Sequence, residues 1–194
     1  MNAYLRLEQL AQYFLFHPIP ENFTDIIQEQ LNLDIRAKYG KQPLKNCLIV
    51  APGQMTTSIS QIENIKEARF AGCVLKSVVA EDEKGNCSMI KLRKKPTFVE
   101  TVYDPYDTEG CFPIIHWDGG LDLRNFDDYL NFARDAITLL SPDFLIVASL
   151  LGHLPSFDSD FNENEWIYTT KKLYEIGYRI FEIDFCPFLK EHDE

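Results

Sequence analysis

The sequence predicts an α/β fold with a parallel sheet, and three observations carry that expectation. Short, almost continuously apolar runs at 47–51, 72–75 and 144–148, with a fourth run Ile180-Phe181-Glu182-Ile183-Asp184, have the length of strands covered on both faces. Stretches of helical periodicity lie between them. Gly, Pro and Asn punctuate the joins. Strand, helix and strand within about 30 residues make one βαβ unit, with a parallel sheet and a right-handed crossover. Four such strands give either an open half-barrel or a small doubly wound sheet. The 194 residues fall short of the roughly 250 of a complete (β/α)8 barrel.

Residues 1–45 read as two helices. Leu5, Leu7, Leu10, Tyr13 and Phe14 form one apolar stripe, and Ile26, Ile27, Leu31 and Leu33 form another. His17-Pro18-Ile19-Pro20 is a rigid break between them, and Pro43 marks the next boundary. The first strand ends at Pro52-Gly53. Ser58 and Gln61 have capping-box spacing for a helix through Ile62, Ile65 and Ala68. The second strand starts at Gly72 and ends near Lys76-Ser77. Residues 80–120 interrupt the rhythm, with a hairpin expected over 87–103 and turns at Asp104-Pro105 and Asp118-Gly119-Gly120. A helix over 125–140 leads to strand three. Asn162 with Glu165 opens the next helix, Gly177 caps it, and strand four follows. The expected organisation is a helical segment, 1–45, ahead of an α/β unit, 46–194.

Hydrophobic and charged shares of 45% and 25% are those of a globular protein. No apolar run approaches the roughly 20 residues of a membrane span, and no secretory signal is visible, so a cytoplasmic location is expected. The net charge of -11 is uneven: residues 101–194 carry 6 Lys/Arg against 19 Asp/Glu. Such an acidic half repels a phosphate backbone, which argues against nucleic-acid binding. Cys47, Cys73, Cys87, Cys111 and Cys186 form no CxxC pair and read as reduced thiols rather than disulfides or a zinc site.

In parallel α/β folds, ligands gather at the carboxyl ends of the strands. The residues expected there are Ala51-Pro52-Gly53 with Thr56-Thr57, then Lys76-Ser77, Ser149, and 182–188. A lysine ending an apolar strand must snorkel, pair or face a ligand. Cys186 is either a small buried hydrophobe or a reactive thiol. Glu182 and Asp184 share a strand face and need partners there. His153 lies near the end of strand three, but no third partner completes a Ser149–His153 triad. His116-Trp117 reads as part of a turn, and the basic run Lys91, Arg93, Lys94, Lys95 as a solvated hairpin face. No dinucleotide fingerprint or P-loop is present.

These strand-end residues also carry a family likeness. Ile49-Val50-Ala51-Pro52-Gly53, Thr56-Thr57-Ser58, Glu67-Ala68, Ala71-Gly72 and Val74-Leu75-Lys76-Ser77 resemble the opening of dihydroorotate dehydrogenases. In that family an Ala-Ser-Gly turn precedes a helix and a strand ending Thr-Lys-Ser. The stretch from Glu182 to Pro187 resembles its strand-four signature, Glu-Leu-Asn-x-Ser-Cys-Pro. Ala148-Ser149 and Glu165-Trp166 fit its third strand and following helix. The likeness runs in order over 46–190.

The resemblance implies the first four strands of a (β/α)8 barrel and an FMN-dependent oxidoreductase acting on a CH–CH group of a dihydropyrimidine-type substrate. Lys76 would hydrogen-bond the flavin and hold charge on its reduced form. Ala51 and Gly53 would bring backbone close to the ring, with Ser77 beside it. Cys186 would be the base that takes a proton from substrate carbon. Asp184 would stand where the family binds substrate through Asn, although a gapless alignment on Cys186 puts Ile183 there. Phe188 replaces the Asn after Cys-Pro, and the segment around Trp117 takes the place of an Asn-rich loop. The family's FMN phosphate site belongs to strands seven and eight. A complementary C-terminal half-barrel or a homo-oligomer is therefore the expected partner, and the chain is expected to be inactive without it. The competing expectation is a non-catalytic half-barrel interaction module.

Overall fold

The apolar runs become strands of one parallel sheet. The computed structural model describes residues 3–90, 98–103, 113–118, 120–154 and 161–186, with the side chains of 98–103, 113–118 and Cys186 outside the description. In order, the elements are α1 (Ala3–Phe14), α2 (Phe23–Leu31), β1 (Ala37–Tyr39), β2 (Gln42–Leu44), β3 (Ile49–Val50), α3 (Ile59–Glu67), β4 (Gly72–Val74) and β5 (Val78–Val79). They continue with β6 (Phe98–Tyr103), β7 (Pro113–Asp118), α4 (Phe126–Ile137), β8 (Leu145–His153), α5 (Glu163–Ile176) and β9 (Phe181–Cys186).

Strand β3 pairs with β4, β4 and β5 pair with successive parts of β8, and β9 pairs with β8; all four pairings are parallel. The order across the sheet is therefore the order along the chain. Between Val74 and Val78 the strand advances four residues while β8 advances three, from Val147 to Leu150. One extra residue makes a bulge, a feature that re-aims side chains next to sites. Lys76 and Ser77 occupy it.

The helices α3, α4 and α5 share one face. Ile62 and Ile65, then Phe126, Tyr129, Leu130, Phe132, Ala133 and Ala136, then Leu173 pack with Cys73, Leu75, Val78, Ile146, Ala148 and Leu150 of the sheet. Alternation along each strand sends the intervening residues to the other face. There Val74, Leu145 and Val147 pack with Leu44 of β2, flanked by Ala37, Tyr39, Ile49 and Ile180. A β1–β2 hairpin thus covers the amino end of the helix-free face.

Local chemistry explains most boundaries. The Ser58 side chain accepts from the Gln61 backbone and Gln61 reaches back, completing the expected capping box. Asn125 caps α4 by accepting from Asp128 N. Gly177 closes α5, its N–H returning to Leu173 and Tyr174 carbonyls. Among the described residues, no helix is long and apolar enough to cross a membrane.

Several sequence expectations are corrected. Residues 37–44 are a hairpin, not helix, turning at Gly40 with φ 60°, the first central position of a two-residue turn where glycine is favoured. No residue of α1 is buried, and its described ties run to α2: Arg6 Nη1 donates to Gln30 O at 2.9 Å and Phe14 meets Phe23 edge-on. The α2 end is tied to the α/β unit through Thr24 Oγ1 to Lys45 O at 2.8 Å, and the residues just before it through Arg69 Nε to Ile19 O at 3.1 Å. The hairpin expected over 87–103 joins 98–103 to 113–118 instead, so His116 and Trp117 lie in a strand rather than a turn. The Asp104-Pro105 turn and the basic run 91–95 lie outside the described residues. Asn162 makes no side-chain cap; it donates to Glu165 Oε1, which also accepts from Ser88 N and Oγ. Strands three and four both run further than expected, to His153 and Cys186.

Candidate functional site

The helix-free face changes character along its length. Its amino half is apolar. Its carboxyl half carries Lys76, Ser77, Ser149, Glu182 and Asp184, and the described hydrogen bonds join three of them. Ser77 Oγ and Ser149 Oγ are 2.8 Å apart, and Ser77 Oγ donates to Asp184 Oδ2 at 3.3 Å. Ser149 is wholly buried and Ser77 nearly so. Ser149 and Glu182 are register partners, as are Leu151 and Asp184. Of the two residues competing for the family's Asn position, Asp184 is the one on this face. Ile183 alternates to the helix side and is 45% exposed.

Lys76 is 4% exposed. Its backbone is held at both ends: its N–H donates to Thr56 O at 3.2 Å, and its carbonyl accepts from Tyr129 Oη at 3.0 Å. Burial pulls the ammonium's pKa down, and the Asp122 carboxylate opposes that pull. Thr56, fully buried, also exchanges bonds with Gly53 N and O, both at 3.2 Å. One threonine therefore ties the Ala51–Gly53 turn to the backbone of Lys76. Gly53 has no left-handed φ, and a Cβ there would meet only Ala51 O at 3.7 Å. Neither backbone nor packing requires glycine at 53; what it leaves is open space.

Asp122 and Arg124 are part of this end of the sheet, and the sequence reading did not single them out. Asp122 N donates to Ser77 O at 2.9 Å, and its carboxylate takes Arg124 N at 3.0 Å and Nε at 2.8 Å. The guanidinium lies 4.0 Å over the Phe132 ring and donates to Thr57 O at 3.0 Å. The same Asp-x-Arg fork occurs exposed at Asp34 and Arg36, so the pattern alone does not distinguish a site from a surface turn. Cys186 ends β9, in register with His153. Among the described residues, no three His, Cys, Asp or Glu side chains are grouped to hold a metal ion.

Burial and the neighbouring Asp184 charge both raise the pKa of the Glu182 carboxyl. The folded protein then binds a proton there more readily than the unfolded chain does. This favours folding below the unfolded carboxyl's titration and is lost as pH rises through the folded one. Glu182→Gln is expected to raise the melting temperature at pH 7 and to lose that advantage at pH 4, as thermal unfolding at the two pH values would show.

Fold and site together define an α/β protein with a parallel sheet whose helix-free face is polar at the strand carboxyl ends. Compared with known proteins, the chain matches no family model and no curated protein.

Proposed function

We propose that this polar strand-end face is a flavin site and that the chain is one half of an FMN-dependent oxidoreductase of the dihydroorotate dehydrogenase type. Lys76 carries the proposal: a buried lysine set into a bulge at the carboxyl end of the second strand, on the face without helices. A parallel sheet in chain order with its crossover helices on one face suits the first four staves of a barrel. A doubly wound sheet reverses order at a switch point and carries helices on both faces.

The residues fit the flavin ring. Lys76 supplies a cationic donor for a ring that gains negative charge on reduction, and the space over Gly53 lets the ring lie against backbone. Bound FMN would accept a hydride from substrate carbon. The chain's own groups do the rest. Ser77, bonded to Ser149 and Asp184, flanks the ring and orients the Asp184 carboxylate. Asp184 accepts hydrogen bonds from substrate N–H groups of the dihydropyrimidine type. Cys186 takes the proton from the carbon next to the one that loses hydride. The flavin phosphate falls to a complementary half-barrel or a second copy of this chain.

A non-catalytic interaction module is the second reading. Ile183 and Phe185, 45% and 60% exposed, give β9 an apolar outer face suited to contact with another surface.

The test is visible absorption after incubation with FMN and desalting. Retained flavin colour is expected for the oxidoreductase half. A colourless protein with an intact fold, alone and mixed with a complementary half-barrel, would overturn it in favour of the interaction module.

A further inference from the structure

We infer that two copies of this chain close edge to edge, β9 of each lying parallel beside β3 of the other, to make one eight-stranded barrel. The inference deepens the proposal above by naming the partner of the half-barrel, and it rests on that reading of the fold. β3 and β9 are the two ends of the sheet: among the described residues, β3 pairs only with β4 and β9 only with β8. An unpaired edge is a row of backbone donors and acceptors ready for another chain. Phe181–Cys186 contains no proline or lysine, and its six-residue register with β8 runs without a bulge, so nothing in the strand's backbone blunts that edge. Its two carboxylates lie on the helix-free face, away from the hydrogen-bonding edge. At the other end of the sheet, Leu48 O accepts from Ala71 N at 2.9 Å. The Leu48 backbone therefore faces the sheet, and alternation turns the N–H and C=O of Ile49 to the open side.

Cover, direction, charge and apolar surface together select a second copy as the occupant. Parallel sheets are normally covered on both faces, and here the helices α3, α4 and α5 cover only one. All four strands run the same way, and a two-fold axis along them keeps the two copies parallel. β9 then meets the partner's β3 twice, no edge is left over, and four strands become the eight of a closed barrel. The polar helix-free face becomes the interior. Residues 37–69, which build the β3 end, carry five Lys/Arg against two Asp/Glu, and residues 163–186, which build the β9 end, carry three against five. Unlike ends attract and like ends repel, which favours β9 on β3 over β9 on β9. On the helix side, Ile183 and Phe185 of β9 are exposed. The matching positions at the other end are Val50 and Ile59, only partly buried against the helix-side core. Closure lays Ile183 and Phe185 of one copy against Val50 and Ile59 of the next, in the groove between α5 and the partner's α3.

The test is light scattering on the full chain, with amide hydrogen exchange on the same sample and no flavin present. The mass is expected at twice the 22.5 kDa of one chain. It is expected to halve on dilution and in the double substitution Ile183→Lys with Phe185→Lys. Both side chains are already exposed, so the fold does not depend on them. The decisive reading is at the far edge: the β9 substitutions are expected to remove protection at 48–51, across the whole width of the sheet, together with protection at 181–186. A dimer made through β9 on β9, or through α1, leaves 48–51 unchanged and overturns the closure. A monomeric wild type overturns it too, as does an open series of larger species, the sign of an edge contact that does not close. If the double variant fails to fold, the diluted wild type supplies the same two-edge reading. Flavin retention is read separately. A colourless dimer with both edges protected sinks the flavin proposal and keeps the closure, and a flavin-binding monomer does the reverse.

Discussion

Lys76→Met is expected to abolish retention of FMN on desalting while raising thermal stability. The two effects have one cause. The Lys76 ammonium is covered by protein, and burial lowers its pKa. At pH 7 it is held charged against a desolvation cost that the unfolded chain does not bear. Methionine has a similar length and no charge, so the variant escapes that desolvation cost. The gain is present at neutral pH, fades as pH rises through the lysine's lowered folded titration, and is gone above its unfolded one, near pH 10. Binding moves the other way. A charge-assisted hydrogen bond contributes about 1.5–3 kcal/mol, so its loss weakens the flavin complex by about 10-fold to 100-fold. A purely structural Lys76 would give lower stability instead, and differential scanning calorimetry with the absorption spectrum separates the cases.

Gly72→Ala is expected to destabilise the sheet strongly. Gly72 is the first residue of β4, in register with Leu145 of β8. An added Cβ would run into the Leu145 carbonyl oxygen and stand 2.9 Å from the Leu145 Cβ. The obstructing atoms are backbone and Cβ of the central strand, so no side-chain rotation relieves them. Overpacking of this kind costs about 1–3 kcal/mol or more, a fall in melting temperature of about 3–10 °C for a chain of this size. Gly152 makes the comparison. The nearest atoms to an added Cβ there are all of the Trp166 ring, a side chain that can yield at the cost of its bond to His153 O. Gly152→Ala is therefore expected to cost less than Gly72→Ala.

The sequence and the structure agree where local chemistry decides. Ser58 with Gln61 forms its capping box, Gly177 ends α5, and the apolar runs become parallel strands because a run covered on both faces has few alternatives. They part where long-range pairing decides. The strands Ala37–Tyr39 and Gln42–Leu44 are too short to show alternation, and only Gly40 hinted at their turn. The bulge at Lys76-Ser77 is invisible in a run that continues as Val78-Val79-Ala80; the polar pair looked like a strand end because nothing local marks an extra residue. Likewise Leu150-Leu151-Gly152-His153 extends β8 because β9 pairs along it and Trp166 packs on Gly152, contacts made by residues more than a dozen positions away. At the site, the placement of Ala51, Gly53, Lys76, Ser77 and Asp184 toward the carboxyl half of the sheet was legible, although Lys76 and Ser77 sit in a bulge before β5 rather than at a strand end. Thr56 was named there too, though not its bonds to Gly53 and Lys76; Asp122 and Arg124 were not, because their importance lies in tertiary bonds to Ser77 and Thr57.

The most direct measurement is amide hydrogen exchange of the folded chain with and without saturating FMN. Protection is expected to rise at 51–57, 76–77 and 149–153 and along 182–186, with the amino-end hairpin at 37–44 unchanged. Protection confined to other surfaces, or none at any flavin concentration while the fold holds, would contradict a flavin site on the carboxyl end of the helix-free face.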